Sequence, residues 1–223
     1  MTRDFALQAF LDATHYALAD RLAAGTPAAQ VAADIFVRLT DRGPADQGSP
    51  DQRRLEDQQP TSKRPRPNRL PVCRHLDAAL DTAEAAGGDI APVVVTFRKI
   101  EPALSWNTRA GAEKAGEVFA KGHANALIVG PGGSMEDRRD VWIGASLIAP
   151  QVQYIDHHHP PAEVYLVLSP GAWRQEAKPW HEPGIGGTVF NTPNILHAMK
   201  AGAAPLFALW CLLVDEAQGP GAA

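Results

Sequence analysis

The sequence predicts a mainly β domain, a sandwich or barrel, that follows a helical N-terminal segment. Short apolar segments are separated by turn signals such as Gly130-Pro-Gly-Gly133 and Ser169-Pro-Gly171. Many short strands at regular intervals are typical of β sandwiches and barrels. The chain also has 19 glycines and 19 prolines, which suits a turn-rich β protein. The predicted strands cover 93–97, 124–129, 141–148, 151–156, 163–168, 173–175, 187–190, 197–199 and 206–214.

Two helices are predicted within residues 1–40. Leucines recur at helical spacing along residues 3–24, which indicates an amphipathic helix. Thr26 is a good capping residue and Pro27 suits the first helical position, so a second helix is expected to begin there. We expect that helix to end near Gly43.

The rest of the chain is expected to divide by composition. Residues 41–71 contain six prolines, many charges and few large apolar side chains, which predicts a flexible linker. A short helix within residues 72–90 is expected to pack on a β barrel that spans residues 91–216. Residues 217–223 are expected to form a flexible tail.

Composition argues against several partners. The formal net charge is −4, so no basic surface for nucleic acid is expected. No run of eighteen apolar residues is present, which predicts no membrane span. The N-terminus does not read as a signal peptide. The two cysteines, Cys73 and Cys211, are far apart, and a reducing cytoplasm is the expected compartment.

The most informative segment carries histidines, a carboxylate and two tyrosines within a few residues. Residues two apart in a strand share a face, so His157 and His159 can point into one cavity, as can Glu163 and Tyr165. His197 follows later in the chain. Imidazole with carboxylate suits a divalent transition metal such as Zn, Fe, Mn, Co or Ni. The segment reads Tyr154-Ile-Asp-His-His-His-Pro-Pro-Ala-Glu-Val-Tyr165.

These motifs resemble those of the cupin superfamily. The HxH, Glu and Gly of the first cupin motif, and the Gly, Pro and His of the second, are matched by His157, His159, Glu163, Gly171, Gly187, Pro193 and His197. Within that superfamily, residues 93–214 are similar to the bacterial cupin-type dimethylsulfoniopropionate (DMSP) lyases. The resemblance implies a cupin-type β-barrel (double-stranded β-helix) with an α-helical N-terminal extension.

The resemblance also implies roles for individual residues. Tyr154 would line the substrate cavity. His157 would lie near the site, although the general cupin pattern makes it a ligand. The implied metal ligands are His159, Glu163, Tyr165 and His197, with Zn, Fe, Mn or Co as the metal.

The implied reaction is the elimination of dimethyl sulfide from DMSP, which leaves acrylate. The sulfonium is a good leaving group, so one base suffices, and a metal can stabilise the charge that develops at the carboxylate. A nearby cation favours the phenolate form of tyrosine. We expect Tyr165 to be the base, with Tyr154 as its partner or substitute. Trp142 and Trp210 are candidates for binding the sulfonium through their aromatic faces.

Two other functions stay open at this point. The chain could be a different metal-dependent cupin enzyme, such as a dioxygenase or an isomerase. It could also be a non-catalytic cupin that binds a small molecule. The sequence leaves both a monomer and a homodimer open.

Overall fold

The computed structural model describes residues 3–40 and 64–214 of the chain. The α-helices in these ranges are α1 (Phe5–Arg21), α2 (Pro27–Thr40), α3 (Leu76–Ala85), α4 (Ile90–Ile100) and α5 (Glu117–Gly122). None of them has the length and apolar character that a membrane crossing needs. The strands are β1 (Trp106–Asn107), β2 (His123–Gly130), β3 (Glu136–Asp137), β4 (Val141–Ile148), β5 (Ala162–Val167), β6 (Ala172–Gln175), β7 (Thr188–Asn191), β8 (His197–Lys200) and β9 (Leu206–Leu213).

Local sequence explains where the first two helices begin. The side chain of Asp4 accepts a hydrogen bond from the backbone N–H of Leu7 at 3.0 Å and so caps α1. Pro27 is the first residue of α2, and the hydroxyl of Thr26 accepts a hydrogen bond from the N–H of Ala29 at 3.3 Å. Helix α2 therefore begins where the sequence predicts, with Thr26 as its cap and Pro27 as its first residue.

The strands form two sheets. The large sheet has the order β1-β2-β4-β9-β5-β7, with β3 paired in parallel to the end of β2 and the other pairs antiparallel. Strands β6 and β8 form a small antiparallel sheet. An irregular segment before β5 runs beside β8. There the N–H of Tyr154 donates to the carbonyl of Met199 at 2.8 Å, and His157 and His197 exchange backbone hydrogen bonds of 3.0 and 2.9 Å.

The two faces of the large sheet belong to two different apolar clusters. The outer face packs against the helices, through side chains such as Ile143, Val164 and Leu209. The inner face packs against Trp173 and Met199 of the small sheet, through side chains such as Tyr165, Val167 and Ala208. The described part of the chain is thus a β sandwich with N-terminal helices, and the predicted mainly β fold class is confirmed.

Two predicted strands are wrong. Residues 151–156 form an irregular segment with only an isolated bridge at Gln153. The other is helical. Residues 93–97 lie inside helix α4, in which Val93, Val94 and Phe97 are buried while Val95 is 42% exposed. β-Branched residues favour strands locally. Here the spacing of the buried side chains is helical, and packing against α1 and the large sheet decides the conformation.

The predicted linker is described only in part. Residues 41–63, which include Gly43, and the predicted tail at 217–223 lie outside the described residues. Within residues 64–70, Asn68 makes backbone hydrogen bonds of 3.2 Å with Leu104 and Trp106. The guanidinium of Arg69 donates to the buried carboxylate of Glu101 at 2.8 Å. These contacts hold the end of the predicted linker against the β domain, and the domain boundaries stay a prediction.

Helix α4 provides a test of this packing. The ring of Phe97 is fully buried, with centroids 5.9 Å from Phe10 and 5.1 Å from Phe207. We expect Phe97→Ala to lower the free energy of unfolding by about 3–5 kcal/mol, because it leaves a cavity between helix and sheet. Val95→Ala on the exposed side of the same helix should change it by less than about 0.5 kcal/mol. Denaturant unfolding followed by circular dichroism measures both; equal losses would contradict the helical assignment.

Candidate metal centre

Three histidines from two adjacent segments converge on the inner side of the sandwich. His157 and His159 belong to the irregular segment before β5, and His197 is the first residue of β8. The backbone pairing of His157 with His197 brings their ring centroids to 4.0 Å, and the rings of His159 and His197 are 5.1 Å apart. One ring nitrogen from each of the three lies within 4.8 Å of the others. The cluster can therefore hold a metal ion.

The hydrogen bonds of the three rings prepare them as ligands. Each Nδ1 lies 2.9–3.0 Å from a backbone carbonyl two residues away, that of Ile155, Pro161 or Ile195. A carbonyl can only accept, so Nδ1 carries a proton, and in the neutral ring Nε2 presents a lone pair. Metal-binding histidines are commonly oriented in this way.

The Nε2 atom of His197 supports the same reading. It is buried and has no hydrogen-bond partner among the described residues. The nearest carboxylate oxygen, Oε2 of Glu163, lies at 3.4 Å without hydrogen-bond geometry. A buried acceptor without a partner is unfavourable unless something occupies the position it faces. A divalent transition metal, which nitrogen and carboxylate ligands both suit, fits this site.

Glu163 on β5 lies beside the histidines. Its Oε2 is 3.3 Å from Nε2 of His159 and accepts a 2.8 Å hydrogen bond from the side-chain amide of Asn191 on β7. Gln175 on β6 in turn donates to the amide oxygen of Asn191 at 2.7 Å. Asn191 is the register partner of Glu163, so the sheet itself sets this contact. The carboxylate is consequently fixed in front of the histidines.

The charges in this cluster are unequal. Burial raises the pKa of Glu163, but the neighbouring His159 and His197 outweigh it and hold that pKa well below its usual range. Burial, reinforced by the charge of His197, lowers the pKa of His157 to about 3. Burial also lowers the pKa of His159, yet its hydrogen bond to Glu163 raises it overall. The site thus combines an anionic carboxylate with a neutral His157, which are the protonation states that a metal ion requires.

Tyr165 shares the inner face of β5 with Glu163. It is 3% exposed, and its ring lies edge-on to Trp173 at 6.3 Å. Burial first, and then the charge of Glu163, raise the pKa of its phenol well above the usual range, while the charge of Arg109 acts in the opposite direction. In the metal-free site the phenol is therefore protonated.

The other predicted residues surround this cluster. The ring of Tyr154 lies 4.9 Å from that of His157 and is buried. Trp210 on β9 sits in register between Tyr165 and Gly144, and a Cβ on Gly144 would overlap its indole. Trp142 lies two residues before Gly144 in β4, so the two share a face of that strand. The sandwich thus brings all eight predicted site residues to its inner side.

Several residues near the histidine cluster belong to no recognisable sequence motif and could not be predicted. Asn191 and Gln175 fix Glu163 through contacts between strands that are distant in sequence. Arg109 lies in the loop after β1, and its charge acts on His157, His159 and Tyr165. No carboxylate among the described residues lies within ion-pair distance of Arg109. His158, the middle histidine of the run, is exposed and is not part of the cluster.

Comparison with known families decides what kind of protein carries this site. The family model for DMSP lyase, dimethylsulfoniopropionate lyase, matches residues 49–208, which include every residue of the histidine cluster. The chain belongs to this family. DMSP lyases are carbon–sulfur lyases, so this family member is an enzyme rather than a non-catalytic cupin. No curated protein sequence matches the chain.

Solved structures agree with the fold. A chain from the crystal structures of the DMSP lyases RdDddP and RnDddQII superposes with a TM-score of 0.61 at 19% identity, over 94% of this chain and 93% of the other. The DMSP lyase DddQ from Ruegeria pomeroyi DSS-3 superposes with a TM-score of 0.54 at 19% identity and the same coverage. At 19% identity, these superpositions show that the chain has the same fold as the two DMSP lyase structures.

The histidine run contains its own control. We expect His157→Ala, His159→Ala and His197→Ala each to weaken metal affinity by more than about 100-fold, because each removes a convergent ring nitrogen. His158→Ala should leave it unchanged, since that ring is exposed. Elemental analysis after dialysis and competition with a chelator measure the effect. Full metal content in His157→Ala would return His157 to the role of a neighbour.

Proposed function

We propose that this chain is a metal-dependent lyase that cleaves DMSP to dimethyl sulfide and acrylate. Membership of the DMSP lyase family supports the reaction and its substrate. The observation that carries the proposal is the convergence of three imidazoles and Glu163, with Tyr165 on the same face of β5. This arrangement combines a site for a cation with a phenol that can act as a base.

The metal would be held by His159, Glu163, Tyr165 and His197. The convergence of its ring nitrogen with the other two also supports His157 as a ligand. A divalent ion bound there supplies positive charge that stabilises the negative charge developing at the substrate carboxylate. The donors suit Zn, Fe, Mn or Co.

Tyr165 is the proposed base. Its phenolate oxygen takes the proton from the carbon next to the carboxylate, that electron pair forms the C=C bond, and the C–S bond breaks to release dimethyl sulfide. The pKa of the buried phenol is high because of burial and the charge of Glu163, so the phenolate forms only where added positive charge outweighs both. Tyr154, packed against His157, is the alternative base.

Aromatic side chains supply the proposed surface for the sulfonium. The indole of Trp210 lies across Gly144 in the same row as Tyr165. Trp142 on β4 and Glu163 on β5 both pair with Leu212 of the intervening strand β9. An aromatic face attracts a cation by about 0.5–2 kcal/mol. The pairing order of the sheet thus supports carboxylate binding near Glu163 and sulfonium binding near the indoles.

The tyrosines allow a direct test of the base. Tyr165→Phe should lower kcat by at least about 100-fold, since it removes the group that accepts the proton. Tyr16→Phe is the matched control, because Tyr16 lies exposed on helix α1, and it should keep the wild-type rate. Steady-state kinetics on metal-loaded proteins measure this effect. A large loss in Tyr154→Phe together with a near wild-type rate in Tyr165→Phe would assign the base to Tyr154.

Metal removal tests the reaction itself. Purified protein incubated with DMSP should release dimethyl sulfide, detected in the headspace, and a chelator should abolish the release. Adding back Zn, Fe, Mn or Co separately should restore it and rank the metals. Folded, metal-loaded protein that releases no dimethyl sulfide with any of them would refute the proposed function.

One observation favours a second candidate, a metal-dependent dioxygenase. Such cupin enzymes use three histidines with one carboxylate, and His157, His159 and His197 converge beside Glu163. Tyr165 on the same face argues for the lyase, because a phenolate supplies a base and occupies a coordination position. Oxygen consumption by the Fe-loaded protein, in the absence of dimethyl sulfide release, would favour the dioxygenase.

A further inference from the structure

Two polar side chains lie together on the inner face of the large sheet, two residues along the strands from the pair formed by Tyr165 and Trp210. They are Asn125 on β2 and Ser146 on β4, which are direct register partners. Ser146 is 3% exposed. Buried polar groups are almost always hydrogen-bonded, so the partners of this pair show what it does.

The pair forms a short chain of hydrogen bonds that ends on Tyr154. The hydroxyl of Ser146 donates to the amide oxygen of Asn125 at 2.7 Å, and the amide nitrogen of Asn125 donates to the phenol oxygen of Tyr154 at 3.1 Å. Because Ser146 occupies the oxygen of the amide, the NH₂ group must face Tyr154. The phenol oxygen therefore accepts one hydrogen bond and keeps its own proton for another partner.

Aromatic packing holds the other end of Tyr154. Its ring lies edge-on to Phe119 at 4.9 Å and to His123 at 5.3 Å, and it leans on His157 at 4.9 Å. These contacts set the position of the ring. They do not set the direction of the hydroxyl, which depends on its hydrogen bonds. Among the described residues, its one hydrogen-bond partner is Asn125.

We propose that Asn125, oriented by Ser146, is a positioning residue that holds the Tyr154 hydroxyl with its proton directed into the substrate cavity. The acceptor there is a carboxylate oxygen of the substrate, and this part rests on the proposed function. Asn125 touches no reacting atom and acts through Tyr154 alone. The position of the hydroxyl is a property of the metal-free, unliganded protein as well.

The three tyrosines of the chain make this position measurable without any activity. Protein labelled with ¹³C at the tyrosine Cζ should give three resonances, and Tyr154→Phe identifies the one from Tyr154. Asn125→Leu and Ser146→Ala should each shift that resonance, since the carbon reports on hydrogen bonds to the attached oxygen. Ser146→Thr, which keeps the donor, should restore it. Ser169→Ala removes another buried hydroxyl, which binds Pro205 and Phe207 instead, and should leave it in place.

A double-mutant cycle then separates positioning from general destabilisation. Asn125→Leu should lower kcat/KM for DMSP by about 10-fold, the scale of one lost hydrogen bond, with metal content unchanged. In a Tyr154→Phe background the same change should have no further effect, because the two residues act as a unit. Additive losses, or an unmoved Tyr154 resonance in both Asn125→Leu and Ser146→Ala, would overturn the proposal.

The two proposals fail in different ways. A wild-type protein that releases no dimethyl sulfide removes the lyase function and the carboxylate acceptor with it. The NMR comparison still decides whether Asn125 positions Tyr154. A lyase with normal activity in Asn125→Leu would keep the function and remove the positioning role.

Discussion

Side chains alternate between the two faces of the large sheet, and the site depends on this alternation. In β5, Val164 and Leu166 enter the cluster under the helices, so Glu163 and Tyr165 must face the small sheet. A shift of one residue in the pairing of β5 would turn Glu163 toward the helices and away from the histidines. The apolar contacts with the helices on the outer face therefore hold the chemical groups of the inner face in register.

Burial gives the carboxylate of Glu163 a second role. A buried charge is unfavourable unless hydrogen bonds and nearby groups compensate for it. The amide of Asn191 and the rings of His159 and His197 provide that compensation. Burial raises the pKa of Glu163, but the two histidines hold it well below its usual range. The same contacts fix the oxygen that faces the histidine nitrogens. Stability of the charge and orientation of the carboxylate thus come from one set of contacts.

The sequence predicted the parts of this protein that depend on local pattern. Alternation located most strands, and the HxH, Glu and Tyr spacing located the candidate site. It did not predict helix α4, whose β-branched residues resemble a strand until its packing is known. It also could not choose between His157 as ligand and as neighbour, because the pairing with His197 joins residues 40 positions apart in the numbering. The residues that support the site could not be predicted for the same reason, because their hydrogen-bond partners lie on other segments. These residues are Asn125, Ser146, Gln175 and Asn191.

The protonation of Tyr165 connects the metal to the base. Burial and the charge of Glu163 keep its phenol protonated in the metal-free site, and Arg109 alone does not reverse this. A divalent cation held near Glu163 would offset that negative charge and add positive charge beside the phenol, and both effects would lower the pKa of Tyr165. In the proposed lyase, metal binding would therefore favour the phenolate form of Tyr165, the proposed base. The proposed base would then be present only when the metal that stabilises the developing charge is also bound.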